Sequence, residues 1–405
     1  MLRPRVLGRL ISCLAIVMTA SPVQAEVPSA VGGARLEPVS YSTLPGWRQD
    51  DHAAAFATFL RSCTAMDRAE PPPRPALAAA RGLAAICRAA LADPPKGRTA
   101  TRRFFEDNFT AFRVLPADGE GFLTGYFEPE YRGRLTPDAT YTTPLLARPD
   151  DLVTLQPGEQ VAGLDPALSG ARRGPRGLEP YPDRAAIEDG ALGSAAKPLA
   201  WLDPVDAYFA HVQGSVRVRL GNGQVLRFAY AGKNGRPYRS LGRLVAQQTG
   251  LPPAQLTAPQ LIAWLRANPA DARRLMRENG SYIFFRPATE LDPAKGPLGG
   301  SSVQLVPGRS LAIDRTLWPY GLPFWINASL PGAGADEPFR RLMIAQDTGS
   351  AIRGPARADI FVGMGPAAGE RAGLFRHAGS FVVLLPKELP KEPDAKEPAA
   401  AGSER

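Results

Sequence analysis

The stretch IAQDTGSAIRGPARADIF, residues 344–361, places two aspartates, Asp347 and Asp359, among glycines and short apolar runs. More glycines follow it, at positions 363, 365, 369 and 373. Because glycine has no Cβ, this density predicts a backbone that approaches other segments closely, as in a barrel with tight crossings or the floor of a groove. The alternative is a series of turns in which aspartates cap backbone amides. The spacing leaves both interpretations open.

The surrounding sequence, from Gly121 to Leu385, is typical of short strands separated by turns. Its clearest hairpin joins residues 216–220 to residues 225–230 through Gly-Asn-Gly at 221–223. Apolar residues alternate with arginine in the first strand, which turns one face inward, and Asn-Gly supplies the positive φ angles that a tight turn needs. The sequence therefore predicts a mainly β protein over this region.

Three helices are predicted near the N-terminus, because apolar residues recur there at helical spacing. They carry Phe56, Phe59, Leu60 and Cys63; then Leu77, Leu83, Ala84, Cys87 and Leu91; then Phe105, Phe109 and Phe112. A loop containing three prolines, at 71–73, separates the first two. We expect the three helices to face the core and assign them no chemistry. A further helix is expected after Thr257 as its N-cap, with Pro259 in its first turn.

The N-terminus is typical of a secretory signal peptide, since arginines precede an apolar run at 10–20 and a small-residue stretch ends at Ala25. We expect cleavage near Ala25 and a periplasmic protein. The run is too short to span a bilayer, and no other segment approaches ~20 uninterrupted apolar residues. Residues 10–13 resemble a lipobox, but most of the apolar run follows Cys13 rather than precedes it. The sequence therefore disfavours a lipid anchor at Cys13.

Charge and cysteine content narrow the classes of partner. Loss of the signal peptide would lower the formal net charge from +9 to +6, a modest excess that suits an anionic wall polymer but equally a solvated arginine-rich surface. No basic run is dense enough for nucleic acid. Cys63 and Cys87 would remain after cleavage, and in an oxidising compartment they are candidates for a disulfide. The alternative is two buried free thiols.

Most catalytic signatures are absent from the sequence. Three histidines without metal-like spacing argue against a metal site, and no P-loop, dinucleotide fingerprint or Gly-x-Ser-x-Gly motif suggests a cofactor or a serine nucleophile. Asp-Thr-Gly-Ser at 347–350 is also typical of aspartic peptidases, whose chemistry needs two carboxylates that share a proton. No second Asp-Thr-Gly or Asp-Ser-Gly exists, so a peptidase would have to dimerise around this copy.

Several blocks resemble, in the same order, those of the lytic murein transglycosylase A family. They are GFLTGYFEP at 121–129, VQGS at 212–215, YAGKNGRPY at 230–238, NGSYIFF at 279–285, LAIDR at 311–315, IAQDTGSAIRG at 344–354 and ADIF at 358–361. The last three resemble the family's three-aspartate domain, with Asp314, Asp347 and Asp359 as the three. The resemblance runs from about Phe105 to Leu385, which makes it far more specific than any single motif.

This resemblance implies a double-psi β-barrel built from both ends of the chain, with a second β-rich domain inserted and a glycan groove between them. The expected divisions are a signal peptide at 1–25, N-terminal helices and the first barrel part at 26–130, the insert at 131–285, and the three-aspartate barrel part at 286–386. Residues 387–405 are rich in proline, lysine and glutamate with few apolar side chains, which predicts a disordered tail.

The resemblance also implies cleavage of the β-1,4 bond between N-acetylmuramic acid and N-acetylglucosamine in peptidoglycan, with 1,6-anhydromuramic ends as products. Asp359 would be the catalytic acid and Asp347 its neighbour, while Asp314 would support the structure. One carboxyl group suffices because the sugar's own 6-hydroxyl replaces water as the nucleophile. The positions expected in the groove are Thr124, Tyr126, Gln213, Ser215, Asn234 and Tyr238.

Some expectations remain open at this stage. Val216 departs from the family block, which continues with glycine after Gln-Gly-Ser, and could narrow the groove. A non-catalytic, expansin-like protein that binds wall polysaccharide is a competing hypothesis, although the presence of all three aspartates disfavours it. The partners expected are glycan strands and other wall synthases or hydrolases, with the protein itself a monomer. The resemblance implies an exotransglycosylase, but the sequence leaves open exo or endo cleavage and any association with the outer membrane.

Overall fold

The computed structural model describes residues 30–387, except residues 70, 80, 118, 253–255 and 333–335. The expected signal peptide at 1–25, Cys13 and all but the first residue of the expected tail at 387–405 lie outside the described residues. Within the described part of the chain, no helix is long and apolar enough to cross a membrane.

The described residues form eighteen strands joined by helices and loops. The strands are β1 (Ala30–Val31), β2 (Ala34–Pro38), β3 (Phe109–Leu115), β4 (Gly121–Glu128), β5 (Glu130–Arg132), β6 (Thr143–Leu146), β7 (Leu152–Thr154), β8 (Gly170–Gly174), β9 (Gly177–Pro180), β10 (Pro198–Leu202), β11 (Ser215–Arg219), β12 (Val225–Lys233), β13 (Ile283–Pro287), β14 (Ser310–Ala312), β15 (Pro323–Pro331), β16 (Asp336–Asp347), β17 (Arg357–Met364) and β18 (Arg376–Pro386). The helices are α1 (His52–Asp67), α2 (Arg81–Ala92), α3 (Gly97–Asn108), α4 (Arg184–Glu188), α5 (Pro204–Gln213), α6 (Leu241–Thr249), α7 (Ala258–Ala267), α8 (Pro269–Glu278) and α9 (Gly365–Leu374).

The largest sheet, which we call the main sheet, has nine strands in the order β1-β2-β3-β18-β15-β16-β14-β17-β4. It combines strands from residues 30–38 and 109–128 with strands from residues 310–386, so distant parts of the chain meet in one sheet. The first half of β18 also pairs with β4, which closes a cycle of six paired strands. Two of its pairings are parallel, β14 with β16 and β17 with β4. Because β14 also pairs antiparallel with β17, the end of β16 and the first half of β17 lie on either side of β14.

The N-terminal helices pack on the main sheet through an aromatic cluster that includes Phe56, Phe59 and Phe105. A disulfide between Cys63 and Cys87 joins α1 to α2. The third predicted helix is too long, because α3 ends at Asn108 and Phe109 begins β3. The run FTAFRVL is rich in strand-forming residues, and pairing with β18 satisfies its backbone, so tertiary structure overrides the helical spacing of Phe109 and Phe112.

Residues 130–287 form three smaller sheets, ordered β13-β12-β11-β5, β10-β6 and β7-β8-β9, together with helices α4 to α8. The predicted hairpin is confirmed: β11 and β12 pair antiparallel, and Gly223 in the turn has φ +87°. The predicted N-cap is also confirmed, since the Thr257 side chain accepts from the backbone N–H of Gln260 in a capping box at the start of α7.

One sequence expectation fails near the C-terminus, where strands do not run unbroken to Leu385. The glycines at 365, 369 and 373 lie in α9, between β17 and β18. Their close approach involves a helix rather than a crossing of strands, because α9 packs directly on β4. A Cβ at Gly369 would lie 2.7 Å from the ring of Phe127, and one at Gly125 would lie 3.1 Å from the backbone of Ala372.

Candidate active site

A cavity of about 230 Å³ lies where the main sheet faces residues 130–287. Two walls form it. The sheet wall comprises Gly125 and Tyr126 of β4, Ala312 of β14, residues 347–353 and Asp359. The insert wall comprises residues 211–214 at the end of α5, Tyr230 and Lys233 of β12, Tyr238, Asn279, Ser281 and Ile283. The site therefore depends on chain segments more than 200 residues apart in sequence.

Asp359 lies on β17, opposite Thr124 of parallel β4 and opposite Ala312 of β14. Its Oδ1 accepts a hydrogen bond of 3.1 Å from Arg357 Nη1, and Arg357 Nη2 donates to Thr124 Oγ1 at 2.7 Å. Burial raises the pKa of Asp359 above its usual value, Arg357 opposes this rise, and the charge of Asp347 adds to it. This carboxyl group therefore keeps its proton to higher pH than a free aspartic acid.

Asp347 is the last residue of β16 and is buried at the same cavity. Its Oδ1 accepts from the backbone N–H of Gly300 at 2.8 Å and from Arg74 Nη1 at 3.1 Å. These donors compensate a buried negative charge, which would otherwise be costly. The structure thus brings together the two aspartates that the sequence singled out, in different environments.

Asp314 is buried outside the cavity lining. Its Oδ1 accepts from the backbone N–H and the hydroxyl of Thr316, and its Oδ2 accepts from Gly354 N–H at 2.9 Å. Through these bonds it ties the segment after β14 to the loop between β16 and β17. Since that loop carries residues 348–353 of the sheet wall, Asp314 positions the wall without reaching the cavity.

Three of the six expected groove residues, Tyr126, Gln213 and Tyr238, line the cavity. Gln213 Oε1 accepts from the backbone N–H of Phe127 at 3.2 Å, a contact that joins α5 to β4. The Tyr126 hydroxyl is buried and has no hydrogen-bond partner among the described residues. Burial and the nearby Asp347 carboxylate raise the pKa of Tyr126 well above its usual value, so its hydroxyl stays a proton donor.

Thr124, Ser215 and Asn234 are not among the lining residues, contrary to expectation. Thr124 binds Arg357, and Ser215 is buried where β11 pairs with β12. Asn234 is fully buried, with Nδ2 donating to the carbonyls of Pro182 and Gly280 and Oδ1 accepting from Tyr282 N–H. The hydrogen bonds of its amide therefore join three segments of the insert. The side chains of Thr124 and Asn234 therefore bond to internal groups, which a motif cannot reveal.

Val216 does not narrow the cavity. It is fully buried in a core formed with Val218 and Phe228, and it pairs with Phe228 across the hairpin. The side chain therefore points into the insert and away from the groove.

Arg74 is a site residue that the sequence did not indicate. It lies in the proline-containing loop between α1 and α2, and it donates to Asp347 and to the carbonyl of Thr348 at 2.6 Å. Its guanidinium also lies 4.2 Å from the centre of the Tyr230 ring, so it contacts both walls. A single arginine in an irregular loop has no periodicity or spacing that could mark it in advance.

Buried basic side chains also occur at the insert wall. His211 Nδ1 accepts a hydrogen bond from Arg184 Nη2 at 3.1 Å, since a guanidinium can only donate, and burial together with the Arg184 charge lowers the pKa of His211 well below its usual value. The ring is therefore neutral, and Arg184 can donate to it. Among the described residues, no group of three or more histidine, cysteine, aspartate or glutamate side chains could hold a metal ion.

Two family models match this chain. The MltA specific insert domain matches residues 122–286, and the 3D domain matches residues 309–385. The first covers most of β4 and the three smaller sheets, and the second covers β14 to β18 of the main sheet.

Named relatives and solved structures agree with these matches. Membrane-bound lytic murein transglycosylase A of Vibrio cholerae is 33% identical over 64% of this chain and 64% of its own length. The Escherichia coli K12 protein of the same name is 32% identical over 70% of this chain and 71% of its own.

Among solved structures, a membrane-bound lytic murein transglycosylase from Agrobacterium tumefaciens has a TM-score of 0.77 at 36% identity, covering 87% of this chain and 97% of that one. MltA from Neisseria gonorrhoeae has a TM-score of 0.69 at 29% identity, covering 90% and 98%. Escherichia coli MltA with bound chitohexaose has a TM-score of 0.58 at 26% identity, covering 89% and 93%. This chain therefore belongs to the membrane-bound lytic murein transglycosylase A family.

Proposed function

We propose that this protein is a peptidoglycan lytic transglycosylase in which Asp359 serves first as the general acid and then as the general base. The observation that carries the proposal is the placement of Asp359, a carboxyl group with a raised pKa, in a cavity between two walls. Family membership supports the reaction class, because the relatives are named lytic murein transglycosylases.

In the first step, protonated Asp359 donates to the glycosidic oxygen as the bond from that oxygen to the anomeric carbon of the muramyl sugar breaks. Burial and Asp347 raise the pKa of Asp359, which increases the protonated fraction near neutral pH. Asp347 also places negative charge near the developing positive charge on the sugar, where it stabilises the transition state.

In the second step, the sugar's 6-hydroxyl attacks the anomeric carbon, and its proton passes to the Asp359 carboxylate. The new bond closes the 1,6-anhydro ring, and Asp359 regains its proton, so the cycle consumes no water. A hydrolase would use a second free carboxylate as nucleophile or water-activating base. Asp347 is instead held by Arg74 and Gly300 N–H, which supports an intramolecular nucleophile over this alternative.

For the substrate, we propose glycan strands with β-1,4-linked N-acetylated sugars. The Escherichia coli relative was crystallised with chitohexaose, an oligomer of such sugars. The cavity of this chain offers Tyr126 and Tyr238 as aromatic surfaces and Gln213 as a polar contact, a combination that suits the mixed faces of a pyranose.

We further propose that the closed cycle of six strands is the double-psi β-barrel of the family, with residues 26–130 and 286–386 as its two parts and 131–285 as the insert. The relatives' names describe membrane-bound proteins, which supports a location in the cell envelope. Within it, we propose a periplasmic protein exported by a signal peptide cleaved near Ala25.

The test is digestion of purified sacculi with the wild type and with Asp359→Asn. We expect anhydromuropeptides from the wild type by mass spectrometry, and a loss of about 100-fold or more in their rate of formation in the variant. Asp107→Asn, on the exposed face of α3, is the matched control and should retain full activity. Reducing ends alone would indicate a hydrolase, released peptides a peptidase, and binding without any product a wall-binding protein. Any of these three results refutes the proposal.

A further inference from the structure

Four cationic side chains that line the cavity lie close enough for the charges of three arginines to act on one lysine, and we call Lys233, Arg315, Arg353 and Arg74 the cationic cluster. Lys233 Nζ donates to Ser350 Oγ at 2.9 Å, and Arg315 Nη1 donates to the carbonyl of Pro75. Within the described part of the chain, neither Lys233 nor Arg315 has a carboxylate within ion-pair distance. Arg74 is paired with Asp347, while Arg353 lies 3.6 Å from Asp314 and its side chain is 56% exposed. The cluster therefore carries more positive charge than its surroundings compensate.

Burial and this excess charge both act on Lys233. Burial, followed by the charges of Arg315, Arg353 and Arg74, lowers the pKa of Lys233 to about 7. Close to neutral pH the lysine is thus divided between its charged and neutral forms. An anion that binds among these cations would offset their mutual repulsion and favour the charged lysine.

The position of the cluster relates it to the proposed reaction. Ser350 and Arg353 lie on the loop between β16 and β17, which begins after Asp347 and ends shortly before Asp359. A substituent on the sugar that reacts at Asp359 would therefore lie near this loop. Guanidinium groups bind carboxylates through paired, directed hydrogen bonds, and Lys233 adds a point charge.

We propose that the cationic cluster binds a carboxylate carried by the substituent of the muramyl sugar, and so distinguishes muramyl glycans from uncharged chito-oligosaccharides. This inference rests on the proposed function and extends it to substrate selection. The carboxylate has two sources. It is the lactyl carboxylate where the stem peptide has been removed, or a carboxylate of the stem peptide where it is present.

The experiment measures binding by calorimetry in the Asp359→Asn background, so that ligands are not consumed. Three ligands of equal sugar number are compared: chitohexaose, a muramyl hexasaccharide with free lactyl groups, and the same hexasaccharide with stem peptides. We expect at least one charged ligand to bind about tenfold more tightly than chitohexaose. Which charged ligand binds more tightly identifies the source of the carboxylate.

Substitutions then test which residues cause the preference for the charged ligands. Arg353→Gln and Lys233→Met should each weaken binding of the charged ligand far more than binding of chitohexaose, so that most of the preference is lost. Circular dichroism shows that the variants are folded. Arg353→Lys should retain part of the preference, because the charge remains while the paired geometry is lost. Arg243→Gln, an exposed arginine on α6, is the matched control for loss of one charge and should behave as the parent protein.

The pH dependence provides an independent readout. Between pH 6 and pH 9 the ligand carboxylates stay ionised while Lys233 loses its proton, since burial and the neighbouring arginines lower its pKa to about 7. The preference should therefore weaken as pH rises, and this trend should be absent in Lys233→Met. Equal binding of all three ligands, or equal weakening of chitohexaose binding in the variants, would overturn the inference. If the preference is present but wild-type protein forms no anhydro ends, the proposed function fails while the carboxylate site stands.

Discussion

The pKa values of ionisable groups shift in opposite directions on the two walls of the cavity. On the sheet wall, burial and a neighbouring carboxylate raise the pKa of Asp359, whereas on the insert wall burial and neighbouring arginines lower the pKa of Lys233 to about 7. Burial penalises whichever form is charged, so it moves an acid and a base toward neutrality from opposite sides. One cavity thus holds an acid with a raised pKa and a lysine with a lowered pKa.

The walls also differ in how their side chains are positioned. Asp359 and Asp347 lie on paired strands of the main sheet, where strand register sets their positions. The insert wall comes from a helix end, a hairpin and loops, and the segments behind it are joined by side-chain hydrogen bonds such as those of Asn234. We therefore expect changes on the sheet wall to affect the rate, and changes in the insert's internal bonds to affect stability.

The largest effect is expected at Arg74, which contacts both walls. Arg74→Met leaves the buried Asp347 carboxylate without its cation, which should lower the free energy of unfolding by about 3–5 kcal/mol and, by displacing Asp347, lower the rate by about 100-fold. Chemical denaturation and anhydromuropeptide release measure the two effects. The double variant Arg74→Met with Asp347→Asn should recover much of the stability, because no charge is left unpaired. Independent, additive effects of the two changes would contradict the pairing.

A smaller effect, confined to stability, is expected at Asn234. Asn234→Ala removes hydrogen bonds to two carbonyls and two backbone N–H groups, which should lower the free energy of unfolding by about 1–3 kcal/mol. The turnover and KM of the folded fraction should not change, since the side chain does not reach the cavity. A raised KM in a variant with wild-type stability would show that Asn234 contacts the substrate. It would contradict the expectation that Asn234 acts on stability alone.

Substitution of Arg357 should shift the pH dependence of the rate without a large loss of rate, because Arg357 lowers the pKa of Asp359. A general acid works only when protonated, so the rate should fall as pH rises through the pKa of Asp359. Arg357→Met removes the opposing charge, raises that pKa further and moves this fall to higher pH. Arg357→Lys keeps the charge and should leave the profile closer to that of the wild type. The profile is read from initial rates on sacculi, and a shift to lower pH would exclude this account of Asp359.

The smallest effect is expected at Thr257, which caps α7 far from the chemistry. Thr257→Ala removes the capping box and should lower the free energy of unfolding by about 1 kcal/mol, while Thr257→Ser retains the cap. Thermal unfolding measures the difference. Activity per folded molecule should be unchanged, and a change in rate would show that α7 communicates with the site.

Local patterns were enough to predict several elements of the fold. The alternation around Gly221 to Gly223 predicts the hairpin of β11 and β12, and the Thr257 cap predicts the start of α7, because both depend on neighbouring residues. The prediction fails at Phe109, where pairing with β18 replaces a helical turn by a strand. It fails again at α9, where glycines that suggested turns allow a helix to pack on β4.

Some residues of the candidate site could also be predicted from the sequence, and others could not. Its two aspartates were identified from a dense motif, since both lie within thirteen residues of one another in sequence. In the structure they lie on β16 and β17, which both pair with β14. Arg74, Lys233 and Arg315 come from three separate segments, and only tertiary structure brings them to the cavity. The sequence by itself predicted the two aspartates, the family and several local elements, because those depend on residue identity and short-range geometry. The tertiary structure alone decided which polar groups are buried and what charges surround them, because desolvation and Coulomb interactions depend on distances between segments that the linear order does not specify.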